Sequence, residues 1–388
     1  MNEDESAVIE AVRQFVEDEV RPHVEALEKQ GAYPDALVKQ IAELGLFGIA
    51  VPAEFGGLEL SMPAFVSVME EVARGWTTLA AYINSHCTVV SALKNFGTDA
   101  QRARYLPRMA TGELRGAICL TEDTGGSDLQ AIRTVALQSG GGYTISGTKI
   151  FVTNGEKAGL LLVLAKTDPA AEPPKRGMSL LLVDKSESGL RTSGTYDKMG
   201  FHLVDTCEIR FEGTKVAADA ILGGTPGHGF AQILAGLEVG RLAIAASANG
   251  LAIAALSESI TYAKQRKAFG TEIANFQVIQ FRLVEMASRL ASARALTMEA
   301  ARAAASRDKA DMLCAMAKLI ASEAAFETVT DAVRVHGGYG YIGGVQAERL
   351  FREAPLYIVG EGTNDIQKLV IARRLLDGSS LSDLGLAV

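Results

Sequence analysis

The sequence predicts an α+β protein with a helical N-terminal domain, a middle β domain and a C-terminal helical bundle, because its hydrophobic period changes twice along the chain. Apolar residues recur every three or four positions up to about Gly112, alternate with polar ones to about Ala220, and return to the helical period from about Gly229. The divisions fall at 1–114, 115–224 and 225–388. A chain of 388 residues exceeds one ordinary core, which agrees with several lobes.

In the first part, Val8, Val12, Phe15, Val16 and Val20, then Leu37, Ile41 and Leu44, form amphipathic stripes punctuated by Pro34, Pro52, Gly56 and Gly57. In the second, 143–146, 161–164, 180–183 and 207–211 read as strands bounded by Gly, Pro, Asp or Ser. The stretch 168–175, with three prolines, reads as a surface loop. In the third, 230–264, 275–307 and 309–335 are long Ala-rich helices, which allow close packing in a bundle. The tail from Gly378 reads as a fraying end, and no internal repeat is visible.

The formal net charge is -8 and no long basic run occurs, which argues against nucleic acid or an anionic membrane as the main partner. The four cysteines are far apart without a CxxC pair, so reduced buried thiols are expected, not a zinc site or disulfides. The acidic start, Met1 to Glu5, has neither a secretory nor a transit pattern. The apolar stretches, such as 159–165, look too short to span a bilayer, so a cytoplasmic location is expected.

Five motifs stand out. Gly338, Gly340 and Gly343 fit a dinucleotide fingerprint, but the preceding Phe326, Val329 and Val333 have the helical period, and the fingerprint needs a strand there. In 119–128 a strand runs into a turn rich in glycine and hydroxyls, with Thr121, Gly125, Gly126 and Ser127. Such a turn can face an anion or an electron-rich ring, and it also fits an ordinary loop. In 147–155 the alternation sets Lys149, Phe151 and Thr153 on one face, which suits a flat heterocycle or a hairpin with a core Phe. Arg266, followed by Phe269, Gly270, Phe276 and Gln277, suits either a helix C-terminus or a pyrophosphate. Finally, Glu361 follows an apolar stretch between Gly360 and Gly362, with Thr363 or Asn364 capping the next helix. A carboxyl in an apolar wall has a raised pKa and can act as a base; the same segment also fits an exposed helix-initiating loop.

The last four motifs, in this order and at these spacings, resemble the acyl-CoA dehydrogenase family over about 7–376. Further matching stretches are Tyr105 to Pro107, Lys198 to Gly200, Glu238 to Arg241, Gly337 to Gly340, and Glu348 with Arg349. The resemblance implies a β-barrel-like middle domain, a C-terminal four-helix bundle, and FAD bound between them in a homotetramer. It implies that Ile118, Leu120, Thr121, Gly126, Ser127, Phe151, Thr153, Thr363 and Asp365 belong to the cofactor site. Arg266, Phe269 and Gln277 would reach FAD from a neighbouring subunit, and Ile273, Phe276, Arg334, Val335, Gly337 and Gly338 complete the set. Ser127, Glu238, Arg241 and Gly362 would bind substrate.

Glu361 matches the family's usual base. A minority of members carry that base one residue before the arginine at 241, and here Gly240 stands there, leaving Glu361 as the single carboxylate of the two. The implied reaction is α,β-dehydrogenation of an acyl-CoA, with the β hydride going to FAD and electrons passing to an electron-transferring flavoprotein, in fatty acid and lipid metabolism. The carbonyl would be held by the Glu361 N–H and an FAD hydroxyl. An oxidase or monooxygenase on the same fold, or an acyl-carrier-protein substrate, is the alternative. Three departures from the family pattern are Phe151 for Trp, Arg334 for Gln and Gly360 for Tyr; the last predicts room for branched or bulky acyl groups. In the stretch Trp76, Thr77 and Thr78 no arginine stands at the position where glutaryl-specific members have one, so a dicarboxylate substrate is not expected.

Overall fold

A computed structural model of the chain describes residues 1–306 and 310–376; the tail from Gly378 lies outside them. The N-terminal part is helical: α1 (Glu3–Phe15), α2 (Val24–Gln30), α3 (Asp35–Glu43), α4 (Met62–Gly75), α5 (Thr77–Phe96) and α6 (Asp99–Ala110). Local chemistry starts these helices. Asn2 and Glu5 form a capping box on α1, and Thr98 and Gln101 form one on α6.

Seven strands follow: β1 (Gly116–Cys119), β2 (Val135–Ser139), β3 (Gly142–Thr153), β4 (Leu160–Lys166), β5 (Met178–Asp184), β6 (Leu190–Thr195) and β7 (Thr206–Ala217). They form one mixed sheet, in which β4 pairs with β5 on one side and with β1 and then β2 on the other, and the pairing continues through β3 and β7 to β6. β4 is buried on both faces. Leu160, Leu162 and Leu164 pack with Val89, Leu93, Leu106 and Met109 of the N-terminal helices, while Leu161, Val163 and Ala165 join the core on the other side of the sheet. That double burial explains why 160–165 is a continuous apolar run with no alternation.

The C-terminal part is α7 (Gly229–Gln265), a short hairpin β8 (Lys267–Ala268) and β9 (Thr271–Glu272), α8 (Gln277–Ser306), α9 (Asp311–His336), α10 (Gln346–Val359) and α11 (Asn364–Leu376). The bundle shares one core with the N-terminal helices: Val12, Val16, Met69 and Val72 join Leu242, Ala246, Leu251, Ala325 and Val329. The glycine fingerprint at 338–343 follows α9 and lies in a 3-10 segment (Gly337–Tyr341) and the turn after it, with no strand before it, so it is not a dinucleotide motif. All four cysteines are free and buried.

One sequence expectation is corrected. α7 is long and apolar enough to cross a membrane, with a window of mean hydropathy 1.5. That window is 83% buried inside the protein, so its apolar surface is that of a core helix.

Candidate active site

The turn between α10 and α11 presents the carboxylate. α10 ends as the Gly360 N–H bonds Leu356 O, and α11 begins with Thr363 Oγ1 accepting from the Ile366 N–H at 3.3 Å. Between them Glu361 has φ 54 and Gly362 has φ 80. Left-handed backbone costs a glutamate about 1–2 kcal/mol, and glycine adopts it freely. Phe151, Phe201 and Glu361 are three of the six non-glycine residues with positive φ among the described residues, and all three line one cavity. Strain of this kind concentrates at functional sites.

The cavity has a volume of about 1070 Å³ and lies where α5, α7, α10 and α11 meet β1, β3 and the loop after β1. Glu361 Oε1 accepts from Asn84 Nδ2 of α5 at 3.3 Å. A Cβ added to Gly240 of α7 would stand 2.8 Å from Glu361 Oε2. Positions 240 and 361 therefore converge on one point, and in this chain the carboxylate at that point comes from 361. Burial pushes the Glu361 carboxyl above the usual range, against the pull of the Asn84 hydrogen bond, Lys318 and Arg241. Arg241 also lines the cavity; it is only 5% exposed, and its Nε has no hydrogen-bond partner among the described residues.

The sheet side carries the glycine and hydroxyl loop. Ile118, Leu120, Thr121, Gly126, Ser127, Phe151 and Thr153 all border the cavity, as do Gly362 and Thr363. A buried ion pair braces this loop. Lys149 Nζ donates to Glu122 Oε1 at 2.7 Å and to Leu120 O at 2.9 Å, and Glu122 accepts from the N–H groups of Arg133 and Thr134 at 2.6 and 3.1 Å. This corrects the one-face reading of Lys149, Phe151 and Thr153. Two residues of β3 between Lys149 and Val152 oppose one of β7 between Ile209 and Cys207, which is a β-bulge. Lys149 therefore points into the core, while Phe151, at φ 56 and 62% exposed, borders the cavity with Thr153.

The other sequence-predicted residues lie away from the cavity. Arg266, Phe269, Ile273, Phe276 and Gln277 follow the end of α7, while Arg334 and Val335 lie in the last turn of α9 and Gly337 and Gly338 just after it. Arg266 lies 6.0 Å from the Tyr339 ring, which ties the two groups together. At 1.5 Å per residue, Arg266 is about 28 Å along α7 from Ser247, the last residue of that helix that lines the cavity, which puts it out of reach of this chain's own cavity. Asp365, between the lining residues Thr363 and Ile366, is exposed and pairs with Lys368 at 3.2 Å without lining the cavity itself. Glu238 is off the cavity too. The lining stripe of α7 includes Phe230, Leu234, Leu237, Arg241 and Ile244, and the next residue after Leu237 is turned by about 100°. Glu238 feels Asp311 instead.

Sequence reasoning missed Asn84 and Lys318. Lys318 is fully buried in α9 and donates to Ile358 O at 3.2 Å, Gly362 O at 3.0 Å and Asn364 Oδ1 at 2.8 Å. A lysine on the same helical stripe as Cys314 and Ala321 was the available signal.

Comparison with known proteins agrees with this architecture. The chain matches the acyl-CoA dehydrogenase N-terminal domain over residues 2–113, the middle domain over 117–214 and the C-terminal domain over 227–376. It is 38% identical to a 3-(aryl)acrylate reductase of Clostridium sporogenes, over 94% of this chain and 96% of the relative. It is 37% identical to an acyl-CoA dehydrogenase of Bacillus subtilis, over 95% and 97% of the two chains. The crystal structure of acyl-CoA dehydrogenase from Geobacillus kaustophilus superposes with a TM-score of 0.92 at 36% identity, covering 97% of this chain and 98% of that one. This architecture and these matches together place the chain among flavin-dependent oxidoreductases. The chain belongs to the acyl-CoA dehydrogenase family, whose cofactor is FAD and whose reaction is acyl-CoA dehydrogenation.

The residues present fit that cofactor. Among the described residues, the hydroxyls of Thr121, Ser127 and Thr153 have no hydrogen-bond partner within the protein, and the largely exposed Phe151 ring offers a flat face in the same cavity.

Proposed function

We propose that this enzyme removes the α proton and β hydride of a saturated acyl-CoA, forming the trans-2-enoyl thioester, with Glu361 as the base. The observation that carries this reading is the Glu361 carboxylate: it borders the cavity, meets Asn84, and has its pKa raised by burial. An α C–H beside a thioester is a weak acid, so a desolvated carboxylate with a raised pKa is matched to the transfer. Glu361 Oε takes the proton as the α–β double bond forms. FAD, when bound, supplies the hydride acceptor that side chains lack. The hydroxyls of Thr121, Ser127 and Thr153 are suited to hold its ring edge, and Phe151 to cover its face. The Glu361 N–H is a donor for the thioester carbonyl, where it would stabilise developing negative charge.

On this reading the outlying set around Arg266 and Arg334 serves the cofactor of a neighbouring subunit in a homotetramer. Support comes from its exposure: Phe269 is 97% and Tyr341 86% exposed at that end of the bundle. An electron-transferring flavoprotein is the proposed acceptor. Gly360 lines the cavity beside the base and puts no side chain into it, which supports room for branched acyl groups; a Cβ there would meet Leu356 O at 3.0 Å.

A second reading is favoured by the Clostridium sporogenes relative, whose name describes a reductase. The same carboxyl, protonated, would return a proton to the α carbon of a 2-enoyl thioester, with reduced FAD, when bound, as the source of the β hydride. The test is a panel of straight, branched, aryl and glutaryl acyl-CoA thioesters with a dye acceptor, run beside the matching enoyl thioesters with a reduced donor. Oxidation of saturated thioesters without oxygen uptake supports the proposal. Turnover of enoyl thioesters only favours the reductase, and oxygen consumption without a dye favours an oxidase.

A further inference from the structure

We infer that Lys318 is a positioning residue for the base, clamping the Glu361 turn from beneath and setting the charge it works against. The inference rests on the reading of Glu361 as the base. An ammonium has three N–H donors, and all three of Lys318 are spent on this one segment: Ile358 O before Glu361, and Gly362 O and Asn364 Oδ1 after it. The acceptors are held in turn. Gln367 Nε2 donates to Gly362 O at 2.8 Å, and Asn364 Nδ2 donates to Ser322 Oγ at 3.0 Å and Glu323 Oε1 at 2.7 Å. The clamp thus spans both sides of the two left-handed residues that aim the carboxylate.

Charge gives the clamp a second effect. Lys318 is fully buried and has no carboxylate within ion-pair distance among the described residues. A buried ammonium with no counter-charge beside it is unfavourable, and burial lowers its pKa to about 8. The first charge that supports it is Glu361, followed by Glu323 of the same helix. The groups facing Glu361 are Asn84 of α5, Arg241 of α7 and Lys318 of α9. Lys318 therefore favours the ionised base, the form that can take a proton, and keeps the burial of Glu361 from raising its pKa further. Arg241 acts in the same sense from the cavity side, and Lys318 from behind the turn.

The test compares the FAD-loaded wild type with Lys318→Gln, Lys318→Met and Glu361→Gln. Two readouts are used: the pH profile of kcat with a dye acceptor, and exchange of the α hydrogens of acetyl-CoA with deuterated water. Acetyl-CoA has no β carbon, so exchange reports the base alone. Both Lys318 variants are expected to bind FAD, to lose at least about ten-fold in kcat and in exchange, with little change in KM, and to shift the acid limb to higher pH. If either variant does not fold, Asn364→Ala removes one acceptor of the clamp, and a smaller loss with the same direction of shift is expected. Folded variants with a lower Tm but an unmoved acid limb and wild-type exchange overturn the inference, leaving Lys318 a purely structural residue. Full exchange and turnover in Glu361→Gln would instead overturn the base itself.

Discussion

Adding one methyl group at Gly240 separates stability from chemistry in this enzyme. The new Cβ would stand 2.8 Å from Glu361 Oε2 and 3.7 Å from Thr88 Oγ1. The crowded atom is the end of a flexible side chain, so the carboxylate swings aside while the helix stays in place. Replacing a glycine inside α7 by alanine gains up to about 1 kcal/mol of helix stability. A base displaced by about 1 Å costs on the order of 100-fold in rate. Gly240→Ala is therefore expected to melt at or above the wild-type temperature while kcat falls about 10- to 100-fold. Gly236→Ala is the control, since a Cβ there meets nothing within 4 Å; it should gain the stability and keep the activity. The assay is thermal melting of the FAD-loaded protein beside dye-coupled turnover. Wild-type kcat in a folded Gly240→Ala enzyme would refute the claim that the carboxylate must occupy this point.

Removing Lys149 should be costly in stability. Lys149→Met leaves Glu122 buried without its counter-charge, and a loss of about 3–5 kcal/mol is expected from denaturant unfolding. Lys149 holds the Glu122 carboxyl below its usual range, despite the opposing effect of burial. That stabilisation is present above the unfolded carboxylate pKa and is lost as pH falls through the folded one, so the gap between wild type and Lys149→Met should narrow in acid. Asn84→Ala removes a hydrogen bond that lowers the Glu361 pKa, so the acid limb of kcat should move to higher pH. Gly360→Tyr should fill the cavity beside the base and lower kcat/KM for branched thioesters more than for straight ones; an equal loss on both would count against this placement.

Much of the fold was legible because burial imposes a period. The two helical regions and the strands at β3, β4, β5 and β7 show the patterns their burial demands. β6 (Leu190–Thr195) was missed because it is a mostly exposed, polar strand at the end of the sheet, with no apolar face to read. β1 was read only as a strand leading into its loop, and β2 is short and largely exposed. At the site, Glu361, Thr121, Ser127, Phe151 and Arg241 could be picked out as residues, but their convergence depends on tertiary contacts. Asn84 looked like any polar residue of a helix, and the bulge that parts Lys149 from Phe151 depends on pairing with β7, which no local pattern encodes.

The central claim is that Glu361 carries the proton transfer. Its most direct test is the rate at which a saturated acyl-CoA bleaches the flavin absorbance of the FAD-loaded enzyme in one anaerobic turnover, wild type against Glu361→Gln. The amide keeps the shape and the hydrogen-bonding reach but cannot take the proton. Undiminished FAD content with a bleaching rate lower by about 10²–10⁴ is the expected result. Bleaching within a few-fold of wild type would contradict the account and move the search for the base elsewhere in the cavity.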